Sequence, residues 1–124
     1  METIDLGFGV ARPIGSNINE LIVHQGVEID DAMVHQYHAY LNRQYPQPFG
    51  LLINKKHDYS YTFEAQQDLG TLANIRAIAI LVHRRSSAIA AQSLQNIKRE
   101  SAWNAKIFHD YTDALAWLES QLTA

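Results

Sequence analysis

Phe49-Gly50-Leu51-Leu52-Ile53-Asn54-Lys55-Lys56-His57-Asp58-Tyr59-Ser60-Tyr61-Thr62-Phe63-Glu64-Ala65-Gln66-Gln67-Asp68-Leu69 changes its hydrophobic period midway, and that change decides the fold class. Phe49 to Ile53 is a short, continuous apolar run. Pro46 and Pro48 precede it and Asn54-Lys55-Lys56 end it. A run of this length between turn signals suits a strand buried on both faces. Such strands belong to parallel sheets covered by helices. From Thr62 onward, Ala65, Leu69 and Leu72 recur at helical spacing. Thr62 is the expected N-cap, with Ser60 as the rival, and Glu64 complements the helix dipole. The loop between strand and helix therefore carries polar groups to a helix N-terminus, where open α/β folds gather their ligands.

The rest of the chain fits one domain over residues 1–124. Its 124 residues, 47% hydrophobic and 19% charged, are ordinary globular material. A net charge of −3 gives no bulk attraction to nucleic acid or to a membrane surface. The absence of cysteine excludes disulfides, thiolate metal ligands and cysteine nucleophiles. No apolar stretch approaches the roughly 20 residues that cross a bilayer. The segment METIDLGFGV lacks a basic region followed by an apolar one, so no secretory signal is read there. A cytoplasmic location is expected.

Upstream, Ile4, Leu6, Phe8 and Val10 alternate as in one half-buried strand. Residues 12–17, RPIGSN, read as a turn, and Ile18 to His24 as a second strand in an antiparallel hairpin. Asp30 or Asp31 starts a helix to about Arg43, with Met33, Val34, Tyr37 and Leu41 inward, and Tyr45-Pro46 stops it. The helix after Thr62 is expected to end near Asn74. Ile75 to Val82 is a second buried strand. Ser86 or Ser87 caps a helix with Ala90, Leu94 and Ile97 as its stripe. Trp103 to Phe108 is a short strand, and Thr112 caps a last helix with Leu115, Leu118 and Leu122 inward. The order β-β-α-β-α-β-α-β-α describes a mixed α/β sheet of about five strands flanked by four helices.

That order is similar to the STAS domain, the fold of the anti-sigma factor antagonist SpoIIAA. The resemblance is sharper to a set of small uncharacterised bacterial proteins described as STAS-like or SpoIIAA-like. It is carried by YSYTFEAQ (59–66), IRAIAILV (75–82) and KIFHDYTDALAWL (106–118), with the strand at 49–53, and spans roughly residues 18–122. The resemblance implies a mixed sheet flanked by helices. STAS antagonists also carry a phosphorylated serine where their second helix starts, within an Asp-Ser-Ser-Gly-like segment. Asp58-Tyr59-Ser60-Tyr61-Thr62 occupies that place here. Ser60 and Thr62 supply hydroxyls there, and the paired serines and the glycine are missing.

Three loops leave the carboxyl ends of the expected parallel strands: residues 54–57, 83–87 and 109–112. They carry Lys55, Lys56, His57, His83, Arg84 and Arg85 beside helix N-termini. Such an edge suits an anionic ligand or an acidic partner surface, though polar loops are commonly just solvated. Tyr59, Tyr61 and Phe63 fall at every second position beside it, as an aromatic wall or as cover for the end of the core. His35 and His38 share a helix, and no carboxylate or third histidine is read at a matching spacing, so neither a metal site nor a cofactor is expected. Histidine, aspartate and serine recur in the loops without a G-x-S-x-G elbow, and no nucleotide-binding glycine motif is present. The expected function is a non-enzymatic binding or regulatory module working through this edge. The alternative is a carrier of a small anionic or amphipathic ligand. An exposed first strand also offers an edge for pairing with a second copy.

Overall fold

A computed structural model describes residues 2–84, 89, 91–92 and 104–123. The elements are β1 (Ile4–Asp5), β2 (Gly9–Ile14), β3 (Ile18–Val23), β4 (Glu28–Ile29), α1 (Asp31–Gln44), β5 (Phe49–Lys55), β6 (Ser60–Tyr61), α2 (Phe63–Asp68), β7 (Ile75–Val82), β8 (Ala105–Phe108) and α3 (Tyr111–Thr123). Six strands form one sheet in the order β1-β2-β3-β5-β7-β8, and β4 pairs with β6 apart from it. β1, β2 and β3 are antiparallel, and β3, β5, β7 and β8 are parallel. The mixed α/β fold is the one expected. Of the helix expected after Ser86, only positions 89, 91 and 92 are described, and they are helical. Among the described residues no helix is long and apolar enough to cross a membrane.

The two continuous apolar runs become β5 and β7, neighbouring strands in the interior of the sheet. Leu51, Leu52 and Ile53 are fully enclosed on β5. Truncating any one of them to alanine should cost about 2–5 kcal/mol. Alternation divides the core into two layers. Leu21, Leu51, Ile53, Ile78 and Ile80 pack with Val34, Tyr37 and Leu41 of α1. Ile18, Leu52, Ala77, Ala79 and Leu81 pack with Ala114 and Leu118 of α3. We call these the α1 face and the α3 face.

Several boundaries differ from the sequence expectation. The single first strand is two, because Gly7 turns the chain at φ +89°, with its N–H donating to Asp5 Oδ1 at 2.8 Å. Leu6 and Phe8 are buried all the same. β2 continues through Pro13 to Ile14, and Ile14 pairs with Ile18, so the turn shrinks to residues 15–17. α2 stops at Asp68 instead of near Asn74, since Gly70 takes φ +76°, the left-handed conformation that ends helices. Last, Asp110 rather than Thr112 caps α3: its Oδ1 accepts from Asp113 N–H at 3.0 Å. At the other helix starts, Asp30 Oδ1 accepts from Met33 N–H and Thr62 Oγ1 from Ala65 N–H.

Candidate functional site

β5 does not end at Ile53. It pairs with β7 through Lys55, opposite Val82. Strand alternation then places Lys55 on the α1 face with Leu51 and Ile53, and the residue is only 2% exposed. Its ammonium sits 4.1 Å from the Tyr59 ring centroid and 5.1 Å from that of Tyr61. Ring faces attract a cation by about 0.5–2 kcal/mol, less than full hydration provides. Among the described residues no carboxylate forms an ion pair with it. Burial alone pulls the Lys55 ammonium down from 10.5 to about 8. Most molecules therefore still carry the charge at neutral pH.

Tyr59 and Tyr61 fall two apart on extended chain, so their rings share one side. The centroids are 5.3 Å apart at 63°, and the hydroxyls meet at 3.0 Å. Burial pushes the Tyr59 phenol up to about 12, so it stays neutral. The segment carrying them is stitched to residues 25–29. Asp58 N–H donates to Gln25 Oε1, Ser60 N–H to Val27 O and Thr62 N–H to Ile29 O.

The other expected cations are not gathered around Lys55. Arg84 Nη1 is ion-paired with Asp58 Oδ1 at 2.5 Å, and its Nη2 donates to the Lys56 carbonyl at 2.6 Å. Lys56 is exposed and His57 half-buried. Ser60 is exposed, whereas the Thr62 hydroxyl is the α2 cap. Phe63, the first residue of α2, stands 60% exposed beside Tyr61. Arg85, Ser86 and Ser87 lie outside the described residues.

His83 belongs to the opposite face. Its Nε2 meets Asn54 Oδ1 at 2.7 Å, while Asn54 Nδ2 donates to Glu20 Oε2 at 2.9 Å. A carboxylate only accepts, so the amide orientation is fixed and His83 Nε2 carries the proton. Glu20 is 1% exposed, and its Oε1 accepts from Arg12 Nε at 2.9 Å and Nη2 at 2.6 Å. Arg12 Nη2 also donates to the Tyr111 hydroxyl at 2.9 Å. The result is a connected chain, Tyr111–Arg12–Glu20–Asn54–His83, across the carboxyl end of the sheet.

Sequence reading missed this chain, although a signal was present. A hairpin pairing Ile14 with Ile18 pairs Arg12 with Glu20 two steps out. A second missed cluster surrounds Asn19 on the α1 face. Tyr37 OH donates to Asn19 Oδ1 at 2.7 Å, and Asn19 Nδ2 donates to the hydroxyls of Tyr40 and Tyr45 at 3.1 Å each. The histidine pair of α1 also reads differently in three dimensions. His38 is buried, accepts from Gly70 N–H, and is held down to about 4 by burial. His35 instead faces Asp31, one turn earlier, at 3.4 Å, a matching spacing that the sequence reading overlooked. With Asp68 these two bring ligand atoms within 4.8 Å of one another, and among the described residues they are a group whose geometry could hold a metal ion. A hydrogen bond to Asp68, with some desolvation, raises the Asp31 carboxyl. Exposed groupings of this kind are common without an ion.

No family model and no curated protein sequence matches the chain. Among solved structures it is similar to an uncharacterised protein of the DUF3478 family with a SpoIIAA-like fold, from Shewanella loihica PV-4. That likeness has a TM-score of 0.58 at 16% identity and covers 89% of this chain and 91% of the other. The chain thus has a SpoIIAA-like fold, as its order of strands and helices led one to expect.

Proposed function

We propose that this protein is a non-enzymatic binding or regulatory module that acts through the edge at the carboxyl ends of its parallel strands. The observation that carries the reading is the Lys55 ammonium, held inside the protein among aromatic rings with no ion pair among the described residues. An enclosed charge without a counter-ion is costly, and an anion arriving from outside relieves that cost. Two residues beyond Tyr61, Phe63 adds exposed apolar area, and Lys56 adds an exposed positive charge. The same two features favour a second reading, a carrier of a small amphipathic anion. With no cysteine and no apolar span, the proposed module works in the cytoplasm.

Native mass spectrometry of protein isolated gently from its source cell tests the edge. The wild type should carry a bound species, either a small mass or a second chain. The double variant Lys56→Glu/Phe63→Asp should lose it while remaining folded. Equal retention by the variant, or a wild type that carries nothing, overturns the proposal.

A further inference from the structure

The surroundings of Lys55 restrict what that edge accepts. Among the described residues, the positive charge held inside this edge is single, that of Lys55. Arg84, in the neighbouring loop, is already committed to Asp58 and to the Lys56 carbonyl. The walls are the rings of Tyr59 and Tyr61, and Phe63 stands exposed beside them. A phosphate group calls for several donors and more than one positive charge, which arginine forks usually supply. A single ammonium among aromatic rings matches a single negative charge on an apolar body.

We propose that Lys55, Tyr59 and Tyr61 form a binding site for a monoanionic carboxylate carried on an apolar body, with the carboxylate on the Lys55 ammonium and the apolar part against Tyr61 and Phe63. This inference rests on the edge being the binding surface and names the chemistry of its ligand. A carboxylate in contact favours the charged lysine, so binding raises the Lys55 titration midpoint. By linkage, affinity declines as pH rises past the midpoint of the free protein, because the empty site then loses its charge.

The test is a nuclear magnetic resonance titration of the intact protein labelled at lysine Cε. The chain has four lysines, Lys55, Lys56, Lys98 and Lys106, and Lys55→Met assigns the relevant signal. The probes are octanoate, 1-octanol and inorganic phosphate. Octanoate should raise the Lys55 midpoint by about one unit or more, equivalent to a tenfold or larger affinity difference between protonation states. It should leave the other three lysines in place. Neither 1-octanol nor phosphate should move Lys55, and Lys55→Met should bind octanoate at least tenfold more weakly. A shift with phosphate as large as with octanoate overturns the ligand class. So does an unmoved Lys55 midpoint in saturating octanoate. If Lys55 stays unmoved while Lys56→Glu/Phe63→Asp still sheds the bound species, the edge stands and only the ligand class falls. If the variant retains that species as well, both fall together.

Discussion

Two buried charges stand on the same sheet, one on each face. Glu20, on the α3 face, has both oxygens occupied, by Arg12 and by Asn54. Lys55, on the α1 face, has ring faces around it and, among the described residues, no ion pair. Burial is nearly equal for the two, so burial does not separate a structural charge from an available one. What separates them is whether the chain supplies the partner.

The largest effect should come from turning Glu20 into the kind of charge that Lys55 is. Arg12→Ala leaves the carboxylate enclosed with Asn54 alone. Removing one partner of a buried pair costs about 3–5 kcal/mol. Arg12 is itself half-exposed, so water can reach part of the gap and the loss should fall near about 3 kcal/mol by urea denaturation. Replacing Glu20 by leucine in the same protein should recover part of that loss. A neutral Arg12→Ala would mean that the two faces do not differ as described.

Lys55→Met tests the opposite face and should stabilise, by about 2 kcal/mol at pH 7, because it removes an uncompensated charge of similar shape. The pH dependence sharpens this. The folded lysine titrates near 8 and the unfolded one near 10.5. Between those values the unfolded state binds more protons, so wild-type stability rises with pH. Below about 8 both states are protonated and the penalty is present in full. The gain from Lys55→Met over wild type should therefore shrink as pH climbs above 8, as read by denaturation at matched pH. A destabilised variant would mean that the amine holds the fold together.

The smallest effect belongs to Asn19, a neutral polar group satisfied as fully as Glu20. Tyr37→Phe removes the hydroxyl donating to Asn19 Oδ1. The loss should be about 1–2 kcal/mol with the same slope of stability against urea. If it matched the Arg12→Ala loss, charge would not be what distinguishes these sites.

Much of the fold was legible because its signals are local. The β7 run, the Thr62 cap and the stop at Tyr45 each rest on a few neighbouring residues, and each stands where the sequence placed it. Lys55 was read as loop because a lysine after an apolar run looks like its end. Its inward position depends on pairing with Val82, far away in the chain. The Tyr111–Arg12–Glu20–Asn54–His83 chain joins residues up to 99 positions apart, and no periodicity encodes that. Arg84 was counted toward an anion site since its partner Asp58 lies in a different loop. Sequence thus placed these residues in neighbouring loops, while the register between strands decided how the described charges are paired.

The short pairing of β4 with β6 has a kinetic consequence. Tyr61 on a strand two residues long, and Tyr59 just before that strand, cover Lys55, held by a handful of backbone bonds outside the main sheet. Segments of that kind open at a small fraction of the free energy of global unfolding. If Lys55 takes a ligand as proposed, entry to the amine would be a gated event. A ligand's observed binding rate would climb with its concentration and then level off at the opening frequency of this strap. Stiffening residues 58–62 would slow arrival and departure together and leave the equilibrium between them almost where it was.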